Sequence, residues 1–187
     1  MSENLKIFVF LILMLFSKAV FSQIAEDDAP KLKKETKLTE VIVTDSASSS
    51  ELLKRAVNWV KIESARYGKT NGVSAGSKAE CTVTFPVKPK ELNPVCDYEG
   101  KVTMRVTIEC KDNKYKYTVS NIKHISKSGR SSAGSIDNVI PDCGSMIMSD
   151  LAWKKLKGEA LGKAGWVATD IKEGMKIRSS EGGKDEW

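Results

Sequence analysis

Three stretches of the chain alternate apolar and polar residues by twos, and two others repeat apolar residues at three- and four-residue intervals. The first rhythm is that of strands with one buried face, the second that of amphipathic helices. Residues 78–87 (KAECTVTFPV) set Ala79, Cys81, Val83 and Phe85 on one side. Residues 101–110 (KVTMRVTIEC) do the same with Val102, Met104, Val106, Ile108 and Cys110, and a third run continues through Tyr115, Tyr117 and Val119. The KDNK link between the last two predicts a tight hairpin, with Asp112-Asn113 tolerating positive φ. Pairing Lys111 with Lys114 sets Cys110 opposite Tyr115, Ile108 opposite Tyr117 and Val106 opposite Val119. Every apolar partner then falls on one face, and a one-residue slip would scatter them.

Upstream, residues 37–44 (KLTEVIVT) predict a first strand from their β-branched content with Leu38. Ser48 to Ser50 offer N-caps ahead of Glu51, and Gly68 is a natural stop. Leu52, Leu53, Ala56, Val57, Trp59, Val60 and Tyr67 share one broad face of the helix between them. A last helix starts near Ser149 or Asp150 and carries Trp153, Leu156, Ala160, Ala164, Val167 and Ile171 on one stripe. Gly158, Gly162 and Gly165 lie opposite, each costing up to about 1 kcal/mol of helix propensity. Two stretches lack periodicity, residues 88–100 and 125–145. The second is unusual in a compact domain unless it is functional or disordered. The predicted order is β-α-β-β-β-α: an α+β domain whose antiparallel-rich sheet is covered on its apolar face by two helices.

The N-terminus adds a compartment. Lys6 precedes the apolar run Ile7 to Phe16, and small residues from Ser17 to Ser22 suit cleavage before Gln23. This is the pattern of a signal peptide, and the run falls short of the roughly 17–25 residues a transmembrane helix needs. The expected organisation is a signal peptide over 1–22, a polar tether over 23–36, one domain over 37–177 and a disordered tail over 178–187. An exported chain, periplasmic or extracellular, with no stable membrane span after cleavage, is the result. The formal net charge of +6 comes from lysines scattered among acidic residues. Such an excess marks solubility and at most weak attraction to anionic surfaces, and it forms no block that would argue for nucleic acid.

The chemistry is sparse. Cys81, Cys96, Cys110 and Cys143 are widely spaced, with no C-x-x-C pair, so neither a zinc site nor a redox motif is indicated. Export permits disulfides, and four cysteines allow three pairings. Cys96 and Cys143, in the two irregular stretches, are better placed for a staple than Cys81 and Cys110, which suit apolar strand faces as small hydrophobes. Gly72-Val73-Ser74-Ala75-Gly76 matches the G-x-S-x-G serine elbow as a string. It follows a helix and precedes a strand, however, which inverts the context that aims the serine, and it reads as a small-residue loop. The single histidine, His124, sits at the end of the last strand, where a solvated or capping role outweighs general-base chemistry. Neither a phosphate loop nor a dinucleotide fingerprint occurs. No catalytic, cofactor-binding or metal-binding residue is singled out, and no cofactor is expected.

The helix segment ELLKRAVNWV and the segment DYEGKVTMRVTIECKDNKYKYTVSNIKHI resemble a family of uncharacterised secreted bacterial proteins. That family is described as a domain of unknown function with a TATA-binding-protein-like fold. The resemblance covers roughly residues 38–125 and implies that fold, without implying an activity or DNA binding. The function expected is a non-enzymatic module of the cell envelope binding an envelope protein, peptide or glycan through its sheet surface or long loops. A small hydrolase whose residues converge only in three dimensions, and a lipid or small-ligand carrier, are the alternatives.

Overall fold

The computed structural model describes residues 35–88 and 99–176. Its strands are β1 (Leu38–Val43), β2 (Gly68–Ala75), β3 (Lys78–Val87), β4 (Gly100–Lys111), β5 (Lys114–Ser126) and β6 (Gly134–Ser135). Two helices, α1 (Ser49–Lys61) and α2 (Asp150–Met175), complete the elements of the described residues, an α+β arrangement. The sheet is antiparallel in the order β1-β5-β4-β3-β2, with β6 added to the far end of β5. The expected class holds, with β2 and β6 as two strands more than the pattern predicted.

The central hairpin has the register that the apolar pattern requires: Lys111 faces Lys114, Cys110 faces Tyr115, Ile108 faces Tyr117 and Val106 faces Val119. Asn113 takes the left-handed conformation at the turn, with φ of 60°. The inward side chains of β3, β4 and β5 meet Leu52, Ala56 and Trp59 of α1 and the whole predicted stripe of α2, Trp153 to Ile171, in one core. Ser48 caps α1 by accepting the Glu51 N–H, and Ser149 caps α2 by accepting the Ala152 N–H. A remote carboxylate reinforces the first cap, since Asp112 of the hairpin turn accepts the Ser49 N–H at 2.7 Å.

Three expectations are corrected. The first helix stops at Lys61, well short of Gly68, because Lys69 supplies its carbonyl end with donors, bonding Trp59 O and Ile62 O. Tyr67 is buried from the segment that follows the helix, not from the helix itself. The G-x-S-x-G string is no loop: it forms the end of edge strand β2 and the Gly76-Ser77 turn into β3. The third correction concerns residues 125–145, which are held in place by polar contacts. Buried His124 accepts the Ala133 N–H at Nδ1 (3.1 Å), Ser126 N–H donates to Ser132 Oγ, and the Trp153 indole N–H donates to Asn138 O. β5 therefore runs past His124 to Ser126. A Cβ on Gly100 would sit 2.1 Å from the Ile125 carbonyl oxygen, so only glycine fits where β4 starts beside that end of β5.

Candidate functional site

The two helices occupy one face of the sheet, and no described element covers the other. Strand alternation dictates what stands on this open face. Its cross-strand rows can be followed through the register. One row runs Val41, Lys116, Glu109, Lys78 and Ala75; the next runs Thr39, Thr118, Thr107, Glu80 and Val73. The third runs Ser120, Arg105, Thr82 and Thr70, and the fourth Lys123, Thr103, Thr84 and Gly68.

Two bulges break this lattice on opposite sides of its centre. In β2 the register shifts between Thr70 and Val73, around Asn71; in β5 it shifts across from Thr103 and Arg105, around Asn121. Both asparagines adopt positive φ, 54° and 51°. Asparagine enters that region more readily than other residues with a side chain, and a bulge twists its strand and re-aims nearby side chains. The β5 bulge also switches the buried parity, from Tyr115, Tyr117 and Val119 to Ile122, His124 and Ser126. Between the bulges lies an open groove of about 320 Å³, whose lining includes Asn71, Glu80, Thr82, Thr103, Arg105 and Asn121.

The face is held in place by charge pairs and hydroxyl contacts. Arg105 meets Glu80 at 2.6 Å, and Thr39 Oγ1 donates to Thr118 Oγ1 at 3.2 Å. Lys116 and Lys78 flank Glu109 from the neighbouring strands and hold its carboxyl below the usual range, Lys116 contributing most. These exposed pairs contribute little stability singly; they set side-chain positions. At the back, the sheet is tied to α2 twice. Tyr67 donates to Asp170, and Glu40 accepts from Tyr117 and Lys172, which lowers the Glu40 pKa through the Lys172 hydrogen bond first.

The titratable groups behind the sheet are shifted away from reactivity at neutral pH. Burial raises the thiols of Cys81 and Cys110 to about 11 and the Tyr115 hydroxyl to about 12. Burial and the Asp170 contact raise Tyr67 further still. Lys69 is lowered by burial, but its ammonium lies 3.9 Å from the Trp59 ring centre and bonds the carbonyl end of α1. Cys81 lies opposite Val106 and Cys110 opposite Tyr115, so these two thiols are not cross-strand partners. Cys96, the expected partner of Cys143, lies outside the described residues, as do the expected signal peptide, most of the expected tether and the expected tail.

Sequence reading missed the groove because its residues come from four strands, one of them unrecognised. Two signals were present all the same: the parity switch after Val119, and the recurrence of threonine and lysine at the outward positions of β3, β4 and β5.

No family model matches the chain, and no curated protein matches it. Solved structures do. A TBP-like protein from Parabacteroides distasonis superposes with a TM-score of 0.53 at 12% identity, covering 75% of this chain and 92% of its own. A DUF4468 family protein from Bacteroides ovatus superposes with a TM-score of 0.54 at 8% identity, covering 81% of this chain and 92% of its own. At such identities the likeness concerns the fold. Antiparallel sheet, two helices on one face and these superpositions together give the chain a TBP-like fold.

Proposed function

We propose that the chain is an exported, non-enzymatic module of the cell envelope that binds its partner on the open face of the sheet. The observation carrying this reading is the uncovered face itself, with its groove framed by two asparagine bulges. Binding sites favour concave surfaces held by rigid elements, and the groove is built wholly on paired strands. The perturbed groups support binding over catalysis: buried thiols and tyrosines held in their neutral forms make poor nucleophiles and bases near neutrality. His124 is enclosed behind the sheet and engaged with Ala133. Between sheet and helices, Met104, Val106, Ile108, Leu156 and Ile171 fill the volume a carrier would need for a ligand.

Export rests on the apolar run and small residues that precede Gln23. Native protein should begin at or near Gln23, and N-terminal sequencing that finds Met1 or Ser2 would contradict it. Binding is tested by co-sedimentation with the envelope fraction. The charge-reversed open-face variant Lys101→Glu/Lys123→Glu should lose retention. A variant of equal net charge on the helix layer, Lys54→Glu/Lys154→Glu, should keep it. Equal retention of the two would remove the open face as the binding surface.

A further inference from the structure

Resting on that reading of the open face, we propose that its ligand is an acidic polysaccharide, a carboxylated or sulfated glycan chain lying along the strands. In the sequence the lysines look dispersed. Strand alternation gathers them: seven cations of β3, β4 and β5 point to the open face, against only two carboxylates, Glu80 and Glu109. The resulting excess of +5 compares with +6 for the whole chain, so one face holds most of the net charge. Arg105 offsets Glu80, and Lys78 with Lys116 offsets Glu109. Among the described residues no carboxylate pairs with Lys101, Lys111, Lys114 or Lys123.

Their placement suits a polymer. Lys111 and Lys114 stand at the hairpin end of the face, Lys101 and Lys123 at the other. The ten-residue separation of Lys101 from Lys111 along β4 spans about 33 Å at the usual strand rise. Between these ends the face presents hydroxyls and amides, Thr82, Thr103, Thr107, Thr118, Asn71 and Asn121, each able to donate and to accept a hydrogen bond. That is the complement of a chain carrying many hydroxyls and recurrent anionic groups.

The face lacks what other polyanions and partners use. Every described tryptophan, tyrosine and phenylalanine belongs to the core, to α2 or to the inward side of a strand. Single-stranded nucleic acids are held largely by stacking on aromatic platforms. Protein partners anchor mostly on tryptophan, tyrosine and arginine packed at the centre of an interface, and here the centre holds threonines and one arginine already paired with Glu80. Membrane-surface binding needs apolar groups that enter the bilayer together, and the exposed apolar residues of this face are spread around its rim, Val41 and Val43 on edge strand β1, Val73 on edge strand β2 and Ile125 at the end of β5.

The test is calorimetric titration of the mature chain with polygalacturonate and dextran sulfate. Neutral dextran, poly-glutamate and mixed-sequence oligonucleotides serve as comparators, at low and raised salt. Both acidic glycans should bind and weaken as salt rises, while neutral dextran should not bind. Lys101→Gln/Arg105→Gln/Lys123→Gln should weaken binding at least about tenfold, with its denaturant midpoint near that of the parent, whereas Lys54→Gln should bind as the parent does. Poly-glutamate or an oligonucleotide binding as tightly as the acidic glycans would overturn the proposal, as would no glycan binding at all. If envelope retention still depends on Lys101 and Lys123 in that case, only the ligand class falls. If retention is indifferent to them, the open face falls too.

Discussion

At the level of single residues, burial decides which side of each strand matters. Val106 and Thr107 are neighbours on β4, yet Val106 is fully buried while Thr107 faces the groove side and contacts Glu80. Val106→Asp should cost about 4 kcal/mol or more, because an isolated carboxylate has no compensating partner in an apolar core. Thr107→Lys should cost under about 1 kcal/mol, since its ammonium reaches water and Glu80. Denaturant midpoints separate the two, and equal losses would mean that the open face is covered. The thiols give a second test. Burial pushes the Cys81 and Cys110 thiols up from an ordinary value of 9.0 to about 11 in the folded chain. A raised thiol pKa favours the native state below the unfolded value, and this advantage drains away as pH rises from about 9 towards 11. Stability should therefore decline across that window, and less steeply in Cys81→Ala/Cys110→Ala. A parallel decline in both proteins would assign the loss elsewhere.

At the level of elements, the sequence was most legible where a strong period met a defined end. The β4–β5 register followed from three apolar pairs and a two-residue turn, and the α2 stripe from its three- and four-residue spacing. Legibility failed where tertiary contacts override local pattern. β2 (GKTNGVSA) shows no alternation, because it is an edge strand whose bulge glycine, Gly72, packs against Val60: a Cβ there would come within 2.7 Å. Lys69 ends α1 from outside the helix, a signal that helix propensity cannot carry. Gly158, Gly162 and Gly165 of α2 remain a cost without packing benefit, since a Cβ at any of them would meet nothing within 4 Å, whereas at Gly174 a Cβ would come within 2.5 Å of the Trp59 ring. Gly158→Ala/Gly162→Ala should thus raise stability by about 1–2 kcal/mol and Tm by about 3–6 °C. A fall in Tm would mean that the outer side of α2 is occupied by a partner or by another part of the chain.

At the level of the whole molecule, the fold separates two tasks. The helix layer closes the core and is tied to the sheet through Tyr67–Asp170 and Glu40–Lys172. The opposite face is left open, with its side chains aligned in rows and its centre reshaped by Asn71 and Asn121. The charge pattern belongs to this scale as well. Lysines two residues apart along a strand look scattered in one dimension, and become a single basic surface once the strands pair. The composition alone therefore understated the attraction of this face for anions. Binding on the open face is read most plainly from the shifts of threonine and leucine methyl and tryptophan indole resonances when solubilised envelope material is titrated onto the labelled chain. The largest shifts should fall at Thr82, Thr103, Thr107 and Thr118, with Leu151, Leu161 and the Trp166 indole on α2 unmoved. Shifts concentrated on α2, with the four threonines unchanged, would contradict it.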